Sequence, residues 1–127
     1  MPEHVHLLVC PRERGVEVGR FQGVIKERVA KQGIAWLAQH APEWLSRITV
    51  REGTKIRRRF WQPGGGYDRN MIELRTVHKA IDYIHANPVR RGFVERAEDW
   101  EYSSARWYAG ARPALIEMDR TIPALIV

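Results

Sequence analysis

Two histidines separated by one residue, His4 and His6, and a tyrosine four residues ahead of an asparagine, Tyr83 and Asn87, are the side chains best suited to chemistry in this chain. Neutral imidazole is the commonest metal ligand among side chains. On a strand, residues two apart point to the same face, so His4 and His6 can reach one cation. A pair of ordinary strand histidines fits the same spacing. Tyr83 and Asn87 are neighbours on one edge of a helix. A phenol and an amide one turn apart could serve as a nucleophile and a metal-ligand oxygen. An exposed tyrosine beside an asparagine that caps the helix before Pro88 fits equally well.

Those residues need elements to hold them. His4–Val9 is a short, β-prone apolar run ending at Pro11, which predicts a buried strand with both histidines on one face. Residues 11–19 carry loop punctuation, and Cys10 at the strand end reads as a small packed residue. Apolar residues at helical spacing predict a helix over Arg20–Gln39, although Gly23 and Gly33 each cost about 1 kcal/mol there. Pro42 stops that helix or starts a short new turn, leaving His40 on loop surface. Ile48–Arg51 and Lys55–Trp61 flank Glu52-Gly53-Thr54 as a hairpin. Asn70, with Glu73 three residues on, predicts an N-cap and a helix from Met71. Leu74, Val77, Ile81 and Ile84 form its apolar stripe, and Tyr83 lies about 140° from the stripe's centre. His78 and His85 lie nearer the stripe and read as structural. Pro88 is expected to end the helix. The order is α+β: residues 1–94 as one domain, and 95–127 as a tail packed on it through Trp100, Tyr102, Trp107 and Tyr108.

Composition limits what such a domain can be. The 127 residues are 44% hydrophobic with five tryptophans, enough for one core and too apolar for a disordered tail. No run is long and apolar enough to span a membrane, and no leader-like segment opens the chain. A single cysteine builds no internal disulfide, which fits a reducing cytoplasm. Between Arg47 and Arg91, eleven basic residues face four acids, so this stretch alone exceeds the whole chain's net charge of +6. Such a field attracts polyanions. A solvated charged face has the same composition.

Longer patches carry a resemblance. Met1-Pro2-Glu3-His4-Val5-His6-Leu7-Leu8-Val9 resembles the His-hydrophobic-His motif of single-tyrosine (HUH) transposases. Tyr83-Ile84-His85-Ala86-Asn87-Pro88-Val89-Arg90-Arg91-Gly92-Phe93-Val94 is similar to the nucleophile helix of one branch, the REP-associated tyrosine transposases. Trp61-Gln62-Pro63-Gly64-Gly65-Gly66-Tyr67-Asp68 resembles that branch's Trp-Gln strand, and Asp99-Trp100 with Tyr102-Ser103-Ser104 its C-terminal segment. The patches follow the family's order across most of the chain. The histidine pair alone is unspecific; the ordered set is specific.

The resemblance implies an antiparallel sheet with helices packed on one side. It implies metal-dependent cleavage and rejoining of single-stranded DNA at hairpin, REP-like sequences. By that analogy His4, His6 and Asn87 hold Mg²⁺ or Mn²⁺. Tyr83 attacks the scissile phosphate, leaving a 5′-phosphotyrosine and a free 3′-hydroxyl. On this reading Lys55, Arg57, Arg58 and Arg59 track phosphates, with Arg58 facing away from its neighbours. Trp61 or Tyr67 stacks on a base, and Arg90 and Arg91 hold the backbone. Trp61 as core and the two arginines as bare surface remain the plainer readings. Family members carry a strand and a helix before the histidine motif, so the expectation is a sheet lacking both. Its bare edge would favour a homodimer. A non-catalytic single-stranded-DNA-binding domain and an inactive transposase fragment are the competing functions.

Overall fold

The computed structural model describes residues 1, 3–115, 117–119 and 122 of the chain. The tail expected to run to residue 127 therefore lies partly outside the described residues. The fold is α+β, with a two-stranded antiparallel sheet and three helices. Two compact units divide it: Met1–Cys10 with Arg69–Val127, and Pro11–Asp68.

In the second unit, α1 spans Val18–His40 and runs through both glycines predicted to weaken it. Gly33 has a packing reason to lack a side chain: a Cβ there would stand 2.5 Å from the Phe60 ring. His40 is the last residue of α1 rather than loop. Its Nδ1 lies 2.9 Å from the Trp36 carbonyl and its ring stacks on Trp36, which holds it against the helix. A 3-10 turn, Pro42–Leu45, follows with proline in its first turn. Strands β1 (Thr49–Glu52) and β2 (Lys55–Arg58) pair with Glu52 opposite Lys55, leaving the two-residue loop Gly53-Thr54. Gly53 has φ +61°, a conformation cheap only for glycine and suited to the first position of a tight hairpin. The Trp61 indole N–H donates to the Lys26 carbonyl at 2.8 Å, fastening the chain after β2 to α1. No residue of this unit is fully buried.

In the first unit, the predicted strand at His4–Val9 does not form. The segment is extended but has no ladder partner among the described residues. Its alternation survives: His4, His6 and Leu8 are partly covered, while Val5, Leu7 and Val9 are exposed. Extended sequence becomes strand only where another backbone meets its N–H and C=O groups. Cys10, expected to be packed, is exposed at the end of this segment for the same reason.

Helix α2 spans Leu74–Arg90 and begins three residues later than predicted. Glu73 is its N-cap residue, without a side-chain capping bond, so Asn70 does not cap it. A turn begun at Met71 would carry Ile72, which is 97% exposed, so it gains little burial to offset its ordering entropy. Nor does Pro88 end α2; it lies inside the last turn. The end is set by Gly92 at φ +70°, with Gly92 N–H bonding to Val89 O at 2.9 Å and Phe93 N–H to Pro88 O at 3.0 Å. This is a Schellman ending, which satisfies the terminal carbonyls. Ile81, Asn87 and Pro88 are the buried residues of α2. A 3-10 turn (Ala97–Asp99) packs on α2, and α3 (Ala105–Tyr108) packs on that turn, with Ala105 buried. The described tail also joins α2 through His85–Tyr108 ring contact at 5.1 Å, and Trp100 lies 5.7 Å from Phe93 just past the helix.

Candidate metal and nucleophile site

His4, His6, Tyr83 and Asn87 meet within the first unit. Period-2 alternation turns both histidines toward α2, and their Nε2 atoms stand 3.1 Å apart. Asn87 is only 9% exposed, and its Nδ2 donates to His6 Nε2 at 2.7 Å. Asn87 is therefore not the capping residue that spacing alone allowed: α2 continues past it to Arg90. Tyr83, one turn earlier, is 49% exposed, and its ring centroid lies 5.6 Å from that of His6, edge to face. The phenol thus borders solvent beside the imidazole pair.

Two contacts from the ends of these elements hold the arrangement. The Arg91 guanidinium donates to Glu3 Oε1 at 2.6 Å, clamping the extended segment to the end of α2. The same carboxylate oxygen lies 3.6 Å from His4 Nδ1. Glu3's own backbone hydrogen bond and the Arg91 guanidinium hold its carboxyl below the usual range. Burial, and then His4, push His6 below the ordinary imidazole value, which favours the neutral ring that a metal ligand must be. Sequence reasoning gave Glu3 no role. It stands next to the histidine pair in the sequence, but its partner Arg91 lies far along the chain, just past the end of α2.

The donor chemistry fits a divalent cation. Ligands about 2.1 Å from one ion and at right angles sit about 3 Å apart, close to both spacings around His6 Nε2. A half-turn of the Asn87 amide would present its oxygen in place of the nitrogen. Among the described residues no group of three His, Cys, Asp or Glu could hold a metal, so a third donor beside the two histidines would have to be the Asn87 amide.

Arg90 and Arg91 are adjacent but differ in surroundings. Arg91 is bound to Glu3, whereas Arg90 sits 5.7 Å from the centroid of the Tyr83 ring with no acid beside it among the described residues. His85 is structural: half-buried, with Nε2 2.9 Å from Ser104 Oγ, and desolvation lowers its pKa against the opposing pull of Asp82.

The expected DNA-contact residues of the second unit are described within that unit alone. Lys55, Arg57 and Arg59 share one face of the ribbon by alternation, with Arg58 on the other. Glu52 pairs with Arg59 and, at 3.9 Å, with Arg57, so it offsets part of the charge on that face. Tyr67 is 87% exposed, while Trp61 is part-buried with its N–H already used. Among the described residues no helix is long and apolar enough to cross a membrane.

Comparison with known proteins finds a distant relative of the kind the motifs resemble. No protein-family model matches the chain, and no solved structure matches it either. Over 105 residues the chain is 30% identical to a Haemophilus influenzae protein named, provisionally, as a REP-associated tyrosine transposase. The match covers 82% of this chain and 54% of that protein, so the chain spans about half the length of the curated relative. The chain is a distant relative of a transposase.

Proposed function

We propose that the chain is a metal-dependent transposase acting on single-stranded DNA, which cleaves and rejoins strands at hairpin, REP-like sequences through Tyr83. The closeness of His4, His6 and Asn87 to an exposed phenol 5.6 Å from His6 carries this reading. The relative's name, a REP-associated tyrosine transposase, supports a role in transposition. Mg²⁺ or Mn²⁺ held by His4, His6 and Asn87 would polarise a phosphoryl oxygen and stabilise developing negative charge.

The residues' own work is transesterification. Tyr83 Oη attacks phosphorus and loses its proton; the Oη–P bond forms as the P–O3′ bond breaks. The departing 3′-oxygen takes a proton. A phenol, with an ordinary pKa near 10, is a weak nucleophile at neutral pH and needs an activating setting. The products are a 5′-phosphotyrosine and a free 3′-hydroxyl, and attack by a 3′-hydroxyl reverses the step. No bond energy is lost, so rejoining needs no nucleotide cofactor. Asn87 and the Glu3–Arg91 pair keep the histidines beside the phenol. Lys55, Arg57, Arg58 and Arg59 bind phosphates, with Tyr67 better exposed than Trp61 for stacking on a base.

The test is covalent trapping. The chain is incubated with a labelled pool of hairpin-bearing single strands, with Mg²⁺ or Mn²⁺, and then denatured. An SDS-resistant adduct is expected, absent in Tyr83→Phe and absent after chelation. Binding of the pool without any adduct would replace catalysis by a DNA-binding role.

A further inference from the structure

Helix α2 carries a second line of side chains besides its apolar stripe. Tyr83, Asn87 and Arg90 are spaced i, i+4 and i+7, so they lie along one edge of the helix within about 60° of each other. Tyr83 is half exposed, Asn87 is bonded to His6, and Arg90 has its guanidinium 5.7 Å from the Tyr83 ring centroid. Arg91, one residue on, points its guanidinium into Glu3 at 2.6 Å and lies 5.7 Å from the Phe93 ring. Two adjacent arginines of equal charge therefore have different freedom. Arg91 can leave Glu3 only by abandoning the carboxylate that also faces His4 at 3.6 Å. Arg90 gives up no acid partner among the described residues by turning to an anion.

We propose that Arg90 receives the non-bridging oxygens of the phosphate that Tyr83 attacks, and that Arg91 is a positioning residue holding the histidine segment through Glu3. This rests on the strand-transfer reading and adds the group that orients the phosphate. A guanidinium is well matched to a phosphate, because it is always charged and its planar fork meets two oxygens at once. Its place beside the ring brings a bound phosphate up to the phenol instead of elsewhere along α2. Charge accumulates on those oxygens as the fifth bond to phosphorus forms, so the contact strengthens toward the transition state. The role thus predicts a loss in rate at saturating DNA, beyond any loss in affinity.

Two measurements test this. In the trapping assay at saturating pooled hairpin DNA, Arg90→Ala is expected to slow adduct formation roughly 100-fold. Its dissociation constant should rise far less, and Arg90→Lys should recover part of the rate. Arg91→Ala and Glu3→Gln should slow the adduct with a matching loss of Co²⁺ binding, followed by the metal's visible absorption; Arg90→Ala should leave that spectrum unchanged. An unchanged adduct rate in Arg90→Ala, or a loss of Co²⁺ binding in that variant, overturns the proposal. The second measurement needs no catalysis. On adding a ten-nucleotide oligothymidine strand, the side-chain Nε–H resonance of Arg90 should shift while that of Arg91 stays in place. Equal shifts, or a shift of Arg91 alone, overturn the division of roles even if wild-type protein forms no adduct. A Tyr83-independent adduct would refute the strand-transfer reading and leave the resonance test standing.

Discussion

His4 and His6 can serve one ion only while their segment stays on α2, and two contacts keep it there: Asn87 to His6 at 2.7 Å and Arg91 to Glu3 at 2.6 Å. The first is part-buried, with Asn87 only 9% exposed; the second is an exposed pair, of a kind typically worth less than about 1 kcal/mol. On the proposed reading the imidazoles would supply donor atoms more than anchorage. Replacing His4 by Ala is therefore expected to remove Mn²⁺ binding and metal-dependent cleavage while leaving the affinity for pooled hairpin DNA within about threefold, because phosphate contacts dominate that affinity. Calorimetric titration with Mn²⁺ beside a filter-binding assay separates the two, and equal loss of both would mark His4 as structural. At this scale the shared face of the histidines and the common helix edge of Tyr83 and Asn87 were legible from spacing, and the fold brings the four side chains together. Glu3 was not, because its value depends on Arg91, a partner far along the chain that no local pattern reveals.

Helix α2 shows how an element presents those side chains. Its apolar stripe was readable from a regular 3-4-3 spacing, and it correctly put Tyr83 off the buried face. Both of its ends were misread for the same reason: a capping residue or a proline is a local preference, and tertiary packing can override it. Asn70 loses its cap because the turn it would open gains little burial, as the exposed Ile72 shows. Pro88 is tolerated because the Schellman bonds around Gly92 close the last turn beyond it. Gly92 at φ +70° is the residue that lets the chain leave α2 with Arg91 directed at Glu3. Gly92→Ala is expected to lower stability by about 1 kcal/mol, the cost of a left-handed conformation in an L-residue, seen as a lower urea midpoint at unchanged slope. A variant as stable as wild type would show that another residue sets the helix end.

Charge is the property that the whole chain carries into any encounter with DNA. The basic stretch from Arg47 to Arg91 contributes to both compact units, and in the second unit it is exposed along the β1–β2 ribbon. Only part of that charge is unopposed, since Glu52 lies beside Arg57 and Arg59. Arg58, on the opposite face, is expected to meet phosphate directly: Arg58→Ala should weaken DNA binding and reduce the slope of log K against log salt by about one. Glu52→Gln should have the opposite sign, tightening binding at low salt by freeing Arg57 and Arg59. Fluorescence anisotropy across a salt series reads both, and an unchanged slope in Arg58→Ala would leave that side chain as solvated surface.

The sequence alone determined the helix periodicity, the tight Gly53 turn and the shared face of His4 and His6. Each of these is set by neighbours within a few residues or by residue chemistry. Only the tertiary structure decided that, among the described residues, His4–Val9 stays an extended segment without a ladder partner, Asn87 is buried against His6 instead of capping a helix, and Arg91 is engaged with an acid while Arg90 is not. A ladder, a buried amide and an ion pair each require a partner distant in the chain, and the pairing energy belongs to neither residue by itself.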